Sequence, residues 1–437
     1  MNLSLKQLQE ELKYDRTASC VQCGYCLPVC PTYTTFKNEA HSPRGRINLI
    51  KMAGEGRLTD LSALEEPFDL CLGCRACETA CPTGVEYGEI LEAARVALGK
   101  RRTLSVPVRT LKKAMLRKMF PSRRMMNIAG HSTWIYQKSG LQKAGRITRV
   151  IDKLPYHLGA FEKVLPKPVS PLERFKAPKR VKAEGKRKYK VAFFTGCVMD
   201  AMFQRVNQLS IQLLARAGCE VTVVSNQSCC GALHAHSGEQ KEARRLARQN
   251  IRAFEGTEAD FIVNNAGGCG AMLYEYDRLL ADEEAWAERA RAFSGKVKDI
   301  SQVLMACGLP DMRPRKGEAV TYQPSCHMTN VQKVTKEPVE LLQSIPGIEW
   351  KEMNQADMCC GSAGIYNLVH YDASMEILDH KMKEAKRTNA SVIITTNPGC
   401  LLQMKLGVEK EGLASSVRVL HLVEYLAEAA EIAEPVQ

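Results

Sequence analysis

The segment CVQCGYCLPVCP at residues 20–31 has the same cysteine spacing as CLGCRACETACP at residues 71–82. Both segments follow the pattern C-x2-C-x2-C-x3-C-P. Thiolates are soft ligands, and three that are this closely spaced can bind one iron–sulfur cluster, while the fourth cysteine of such a run binds the neighbouring cluster. The proline then ends the helical turn and directs the chain away from the cluster.

The two runs predict two [4Fe–4S] clusters with crossed ligands. The first cluster is expected on Cys20, Cys23, Cys26 and Cys81, and the second on Cys71, Cys74, Cys77 and Cys30. Zinc is the alternative, but it prefers four tetrahedral ligands supplied as two CxxC or CxxC/HxxxH pairs. Two triplets and two single cysteines fit that preference poorly, so the pattern indicates a protein that transfers electrons.

The bulk composition is that of a globular protein with several domains. The chain has 437 residues, of which 45% are hydrophobic and 25% charged. Its first fifteen residues, MNLSLKQLQEELKYD, contain no apolar signal segment, and no apolar run is long enough to span a membrane. We therefore expect a cytoplasmic protein whose eighteen cysteines serve as ligands rather than in disulfides.

Positive charge is concentrated in one stretch of the chain. Residues 100–190 contain 26 Lys and Arg and four acids, a net +22, which leaves −9 for the rest of a chain with a total of +13. Within it, residues 108–128 place apolar side chains at helical spacing between basic ones, with Pro121 interrupting the helix. Such a helix either packs internally or on a partner, or contacts anionic lipid at the membrane surface. Both alternatives stay open, whereas nucleic acid is not expected because no binding module is recognisable.

An internal repeat occupies the second half of the chain. Its first copy carries Cys197, Cys229, Cys230 and Cys269, and its second copy carries Cys326, Cys359, Cys360 and Cys400, at offsets of 129 to 131 residues. Strand–helix alternation predicts α/β units with parallel strands, and the cysteines fall at the carboxyl ends of the strands. Ligands collect at this edge of open α/β sheets.

The pattern predicts an α+β multidomain protein with four regions. An α-helical domain with two [4Fe–4S] clusters covers residues 1–99, and a basic, partly helical connector covers residues 100–188. The two repeats cover residues 189–310 and 311–437. The first region resembles the α-helical two-cluster ferredoxin of succinate dehydrogenase-type iron–sulfur subunits.

The repeats resemble the cysteine-rich CCG domain of heterodisulfide reductases, lactate-utilisation proteins and iron–sulfur subunits of flavin-dependent 2-hydroxyacid oxidation. The family pattern is C…CCG…CxxC, and in heterodisulfide reductase five cysteines per repeat bind a non-cubane cluster. Here the additional cysteine position is Ala266 in one repeat and Asn397 in the other, so each repeat keeps four cysteines. The resemblance makes these eight cysteines candidate ligands for further iron–sulfur clusters; the alternative is metal-free thiols in a protein-binding domain.

The order of ferredoxin, basic connector and tandem CCG repeats resembles the family of glycolate oxidase iron–sulfur subunits. The resemblance rests on RTASCVQCGYCLPVCPTY, SPRGRI, CLGCRACETACPTGVEYGE, CCGALHAHSG and CCGSAGIYN. It implies an oxidoreductase complex that converts glycolate to glyoxylate, in which this chain relays electrons from an FAD-containing flavoprotein subunit towards a quinone-type acceptor. Peripheral contact with the inner face of the cell membrane is the expectation that the basic connector adds.

No catalytic residue and no flavin are expected in this chain, because it contains neither a strand–GxGxxG–helix nor a Walker A motif. The same wiring would serve a D-lactate or an anaerobic glycerol-3-phosphate dehydrogenase. A heterodisulfide-reductase-like catalytic subunit and an assembly module with CCG docking platforms are further alternatives.

Several residues outside the cysteine motifs have two interpretations. His234, His236 and His327 lie beside the repeat cysteines and would either bond a cluster or be ordinary loop histidines. Arg44 and Arg46 would either be surface charges or offset the negative charge of the clusters. Cys219 and Cys307 are expected in the core.

Overall fold

Short helices surround the eight cysteines of the two N-terminal runs. The computed structural model describes residues 4–102, 105–151, 157–176 and 178–432. The helices of the first region are Leu5–Leu12, Pro31–Phe36, Pro43–Gly54, Glu65–Asp69, Ala76–Thr79 and Tyr87–Arg101 (α1–α6). Shorter 3-10 turns lie at Tyr14–Thr17, Glu39–His41 and Leu61–Leu64.

Local signals explain where these helices begin. Pro31 and Pro43 each occupy the start of a helix, where the missing N–H costs nothing. The Ser42 hydroxyl accepts a hydrogen bond from the Gly45 N–H at 2.9 Å and thereby caps α3. The helices bury one small core that includes Ile50, Phe68 and Ile90, and the cysteine-bearing loops pack against this core.

The connector is helical and packs on the first repeat. Its helices are Val106–Ala114, Arg123–Lys138, Leu141–Ile147, Leu158–Lys163 and Pro171–Phe175 (α7–α11), with a π-helical turn at Met115–Met119. The helix is interrupted at Pro121, as the sequence predicts. Leu116 and Phe120 are buried against Ala201 of the next region, whereas Leu111 is exposed. Met115 and Met119 pack against the same cluster, so most of the amphipathic stripe packs internally.

The first repeat contains a five-stranded sheet in the order β1-β3-β2-β4-β5. Its strands are Arg180–Val181, Tyr189–Phe193, Cys219–Val223, Phe261–Asn264 and Val297–Asp299 (β1–β5). Only β1 runs antiparallel, pairing Arg180 with Thr222. The helices are Val198–Met202, Gln204–Arg216, Ala232–His236, Gln240–Glu255, Gly267–Tyr274, Tyr276–Leu279, Glu284–Lys296 and Ile300–Cys307 (α12–α19).

The second repeat contains a four-stranded parallel sheet in the order β7-β6-β8-β9. Its strands are Ala319–Gln323, Glu349–Trp350, Val392–Thr395 and Arg418–His421 (β6–β9). Its helices are Cys326–Asn330, Glu337–Gln343, Tyr366–Val369, Tyr371–Arg387, Pro398–Lys410 and Leu422–Ala429 (α20–α25). Strand β8 reads VIIT and is buried throughout, because a central parallel strand is covered on both faces. One continuous core, which includes Phe193, Leu214 and Ile394, extends through both repeats.

The predicted fold class, an α-helical ferredoxin followed by α/β repeats with parallel strands, is confirmed. The domain boundaries stay a prediction: α6 continues to Arg101, beyond residue 99, and β1 lies in the predicted connector but pairs with the first repeat. Among the described residues, no helix combines the length and the apolar character needed to cross a lipid bilayer.

Candidate iron–sulfur sites

A cavity opens to solvent at the first cysteine run. Its empty volume is ≈ 400 Å³ including the open mouth. The cysteines that line it are Cys20, Cys23, Cys26, Cys77 and Cys81. Cys81, from the second run, therefore faces the first triplet. Cys30 does not line this cavity; it is buried and its sulfur lies 3.3 Å from the Thr32 hydroxyl.

A second group of thiols lies deeper, around Cys77. Burial raises the pKa of Cys77 well above its ordinary value, and the neighbouring thiols of Cys74, Cys71 and Cys30 raise it further. Cys30 therefore lies with the second triplet. Burial also raises the pKa of Cys74 well above its ordinary value, whereas Arg46 and Arg95 lower the pKa of Cys71 despite its burial. A bound metal would deprotonate all of its thiol ligands. The donor set suits an iron–sulfur cluster.

A buried cation lies beside this second group. The Arg46 side chain is 1% exposed; its Nε donates to the Pro67 carbonyl at 2.5 Å and its Nη2 to the Thr32 hydroxyl at 3.2 Å. No carboxylate is paired with it in the part of the chain that the structure describes. Burial opposes its charge, yet the Cys71 thiol raises the pKa of Arg46 above its ordinary value. Since a buried cation requires an anion nearby, this environment fits a negatively charged cluster.

Three groups hold Cys71 in place. The Tyr87 hydroxyl donates to the Cys71 sulfur at 3.5 Å, and the Gly73 N–H donates to the same sulfur at 3.4 Å. Arg95 Nη2 donates to the Cys71 carbonyl at 2.5 Å. Hydrogen bonds to cluster sulfurs tune the reduction potential, because they stabilise the more negative, reduced state.

We expect the substitution Tyr87→Phe to lower the reduction potential of the cluster that Cys71 ligates. The loss of one hydrogen bond, about 0.5–1.5 kcal/mol, corresponds to a shift of roughly 20–60 mV for one electron. EPR-monitored redox titration measures the shift, and the iron content should stay unchanged. The exposed Tyr25→Phe serves as the control; an unshifted potential in Tyr87→Phe would contradict the assigned bond.

The four cysteines of the first repeat form a continuous row of sulfurs. The Cys197 and Cys229 sulfurs are 3.4 Å apart. Cys230 bridges Cys229 and Cys269 through thiol contacts. His234, fully buried, has its Nε2 2.5 Å from the Leu116 carbonyl oxygen, while its Nδ1 has no partner. The connector therefore covers this thiol group.

The second repeat arranges its cysteines in the same way, with thiol contacts from Cys326 through Cys359 and Cys360 to Cys400. The sulfurs of both repeats form rows: among the described residues, no three His, Cys, Asp or Glu side chains are placed to bind a single metal ion. A four-iron cluster instead takes one thiolate on each iron, so four thiols at one site match its ligand count.

Asn397 occupies the position of the missing fifth cysteine in the second repeat. Its Oδ1 accepts a hydrogen bond from the Gly268 N–H at 3.1 Å, and its Nδ2 points towards the Cys400 sulfur at 3.7 Å. The side chain therefore presents a donor, not a ligand, to the thiols. At the equivalent position of the first repeat, Ala266 offers no polar group.

A buried lysine lies beside the thiols of the second repeat. Lys381 is 3% exposed and donates to the carbonyl oxygens of Gln355 at 2.7 Å and Ala356 at 3.0 Å. Burial lowers the pKa of Lys381 to about 8, and the thiols of Cys360 and Cys359 oppose that shift. Like Arg46, this cation favours an anionic group in the adjoining thiol site.

The second thiol group of the ferredoxin adjoins the second repeat. Cys74 packs in one apolar cluster with Cys326 and Cys359. Asn330 Nδ2 donates to the Cys74 carbonyl at 3.0 Å. The buried Tyr366 hydroxyl, which has no hydrogen-bond partner, lies in the same cluster. The two sites are thus neighbours within one protein interior.

Two of the three candidate histidines stack on each other at this junction. The rings of His236 and His327 are 5.0 Å apart and nearly parallel, at 8°. Burial lowers the pKa of both rings, so both are neutral at physiological pH. The sequence did not single out Tyr87, Tyr366, Lys381 or Asn330. Tyr87 and Tyr366 lie within the quoted segments but are not cysteine ligands, and only packing places all four residues here.

Three family models match this chain. The 4Fe-4S dicluster domain matches residues 16–85, the linker region of the glycolate oxidase iron-sulfur subunit matches residues 107–165, and the cysteine-rich CCG domain matches residues 191–274 and 320–405. The first match confirms the prediction of two [4Fe–4S] clusters.

Related proteins extend the similarity over the whole chain. A probable glycolate oxidase iron-sulfur subunit of Bacillus subtilis (strain 168) is 47% identical, over 98% of each chain. The glycolate oxidase iron-sulfur subunit of Escherichia coli (strain K12) is 30% identical, over 97% of this chain and 99% of that one. Lactate utilization protein A of Oceanobacillus iheyensis is 34% identical but covers only 54% of this chain. The cysteine pattern, the fold and these full-length relatives together show that the chain belongs to the family of glycolate oxidase iron–sulfur subunits.

Proposed function

We propose that this chain relays electrons within a glycolate oxidase complex. It would accept them from a separate FAD-containing flavoprotein that oxidises glycolate to glyoxylate, and pass them towards a quinone-type acceptor. Iron–sulfur clusters supply one-electron transfer, whereas the oxidation of a hydroxy acid releases two electrons, so a flavin is the natural intermediary. The observation that carries the proposal is the adjacency of thiol groups from Cys81 at the surface to Cys359 in the interior.

The ligand assignment is part of the proposal. The first cluster takes Cys20, Cys23, Cys26 and Cys81, and the second takes Cys71, Cys74, Cys77 and Cys30. The Arg46 cation offsets the negative charge of the second cluster in the core. The Tyr87 hydrogen bond to the Cys71 sulfur tunes the reduction potential of that cluster. Cys30, Cys71 and Cys77 are buried, so the inner site has little contact with water.

The repeat cysteines are proposed as ligands of further clusters. They are Cys197, Cys229, Cys230 and Cys269 in the first repeat and Cys326, Cys359, Cys360 and Cys400 in the second. The support for the second repeat is stronger, because Lys381 places a buried cation beside its thiols and Cys74 of the ferredoxin adjoins them. A cluster there would extend the electron path from the ferredoxin into the repeats.

Iron content tests the repeat sites. On anaerobically purified protein we expect clearly more than the roughly eight irons that two [4Fe–4S] clusters hold. Cys360→Ser should remove the part of the excess iron that the second repeat holds, while the EPR signals of the reduced ferredoxin clusters persist. About eight irons in the wild type, with alkylatable repeat thiols, would instead leave the repeats as metal-free domains. Zinc in place of iron would overturn the whole assignment.

Substrate-dependent reduction tests the function itself. When the chain is mixed anaerobically with its flavoprotein partner, glycolate should reduce the clusters, as seen by EPR, and omission of either component should abolish the signal. D-lactate or glycerol 3-phosphate as the effective reductant would support the related dehydrogenases instead. Cluster reduction by glycolate without the flavoprotein would contradict the proposal that the flavoprotein oxidises glycolate and this chain only relays the electrons.

The flavoprotein is proposed to dock at the mouth of the first cavity. Val21 and Tyr25 flank the exposed Cys23 there, with 64% and 68% of their surface exposed. Exposed apolar side chains at a redox site favour a protein partner, since they lose contact with water on docking. The double variant Val21→Lys with Tyr25→Lys should keep both clusters but lose reduction by glycolate and flavoprotein.

The connector is proposed to contact the anionic inner surface of the cell membrane. Helix α8 exposes Met125, Ile128 and Ile135, which share one helical face, and Arg124 and Lys138 lie near its two ends. Twelve of the eighteen exposed large apolar side chains of the described residues lie between residues 106 and 175. Apolar side chains with basic residues nearby suit the headgroup region of a membrane. Each basic residue near an anionic surface contributes about 1 kcal/mol to the binding free energy.

Vesicle flotation tests this contact. We expect the purified chain to float with vesicles that contain anionic phospholipid, and not with purely zwitterionic ones. Ile128→Glu with Ile135→Glu should abolish flotation while cluster content stays unchanged. Equal binding to both vesicle types would contradict the role of anionic headgroups, and binding to neither would contradict the membrane contact.

A further inference from the structure

Two cysteines outside every cluster motif meet in the core of the first repeat. Cys219 is the first residue of β3 and Cys307 the last residue of α19. Their sulfurs are 3.4 Å apart although the residues are 88 positions apart in sequence. Cys219 is completely buried and Cys307 is 7% exposed. A disulfide needs about 2.05 Å between the sulfurs, so side-chain rotation has only a short gap to close.

The surroundings make the two thiols unequal. Lys188 Nζ donates to the Cys307 carbonyl oxygen at 2.6 Å and so places a positive charge at the C-terminal end of α19, where the helix dipole is negative. The hydrogen bond between the two thiols, in which either sulfur can be the donor, couples their titration, and the Lys188 charge favours the thiolate of both. Cys307, at 7% exposed, is the more accessible of the two sulfurs to a small molecule, so it is assigned as the nucleophile and Cys219, at 0%, as its partner.

We propose that Cys219 and Cys307 form an oxidative modification site whose co-substrate is a small hydroperoxide. The Cys307 thiolate attacks one peroxide oxygen, the O–O bond breaks, and a sulfenic acid and water result. The Cys219 sulfur then attacks the sulfenic sulfur, the S–S bond forms, and a second water leaves. Two thiols and one hydrogen peroxide thereby give one disulfide and two waters, the two electrons passing to the peroxide.

The site is separate from the proposed electron path. Neither cysteine belongs to the ferredoxin runs or to the four-cysteine sets of the repeats, so the disulfide removes no cluster ligand. Its covalent effect is to tie the edge of β3 to the end of α19. In a reducing compartment such a bond is transient and is reversed by thiols. These properties are those of a redox-sensing disulfide.

Peptide mapping of the holoprotein tests the proposal. Anaerobically purified protein is treated with a small excess of hydrogen peroxide, alkylated, and digested with trypsin and a glutamate-specific protease. Cleavage after Arg216 and Glu220 isolates Cys219 in the peptide 217–220, and tryptic cleavage isolates Cys307 in 299–315. We expect these two peptides linked, lighter by two hydrogens than their sum, and separated by dithiothreitol. Two alkylated thiols after oxidation, or either cysteine linked to another one, would overturn the proposal.

Single variants test the assigned order of attack. Cys219→Ser should leave Cys307 as a sulfenic acid that a dimedone probe captures. Cys307→Ser should leave Cys219 reacting about tenfold more slowly or not at all, because it is buried and lacks its more accessible partner. Both variants should keep the wild-type iron content and EPR signals, which shows that they fold. Equal peroxide reactivity of Cys219 with and without Cys307 would refute the order.

Discussion

The variant Cys81→Ser is expected to lose the first [4Fe–4S] cluster, although Cys81 belongs to the second cysteine run. Under crossed ligation, Cys81 completes the ligand set of Cys20, Cys23 and Cys26, and it lines the same cavity as these three. We expect about four of the roughly eight ferredoxin irons to disappear, together with the spin coupling between the two reduced clusters. Iron analysis and EPR of the reduced protein measure both effects.

Comparison among variants separates crossed from uncrossed ligation. The cluster that remains in Cys81→Ser should give the same EPR spectrum and potential as the one that remains in Cys23→Ser. Cys30→Ser should likewise match Cys74→Ser. If Cys81→Ser instead resembles Cys74→Ser, each run holds its own cluster. Cys307→Ser, outside both runs, is the matched control and should retain both clusters.

Arg46→Met should destabilise the second cluster selectively. The substitution keeps an unbranched side chain but removes the buried charge that lies beside Cys71 and Cys30. An unpaired charge in a protein interior costs about 3–5 kcal/mol, so we expect the free energy of unfolding of the holoprotein to fall by about that amount. A surviving second cluster should have a lower reduction potential, because the reduced state carries more negative charge. Denaturant unfolding and EPR-monitored redox titration measure the two effects.

Arg44→Met is the matched control for this prediction. Arg44 lies two residues away on the same helix, but it is paired with Glu39 at 2.6 Å near the surface. Exposed ion pairs contribute about 0–1 kcal/mol, so its removal should change stability little. Arg46→Lys should retain part of the stability because it keeps the charge. If Arg46→Met behaves like Arg44→Met, the inner thiol group does not hold an anionic cluster.

The cysteine runs show how much of the candidate site was predictable. Three ligands of each proposed cluster lie within a few residues of chain, so C-x2-C-x2-C encodes their local geometry directly, whereas the fourth ligand comes from the other run. The repeat was equally visible, because four cysteines recur at nearly constant offset and the strands between them are short and β-branched. The resemblance to a known family then supplied the substrate, which no residue of this chain reveals.

The interpretation of charged and aromatic residues was less certain from sequence. Arg46 and Arg44 have the same residue type and lie in the same turn, yet one is buried beside thiols and the other is paired at the surface. The sequence of the connector predicts an apolar helix face but does not show whether protein or lipid covers it. The fold buries Leu116 against the first repeat and leaves Leu111 in solvent. Periodicity indicates that a face is apolar, but not what covers it.

The sequence by itself determined the two cluster-binding runs, the duplicated α/β unit and the positions of the candidate ligands, because each depends on spacing over a few residues or on simple repetition. Only the tertiary structure decided that Cys74 adjoins Cys359, that Arg46 and Lys381 are buried beside thiols, and that Cys219 meets Cys307. These contacts join segments tens to hundreds of residues apart. They depend on how the modules pack against each other, which no local pattern of residue types encodes.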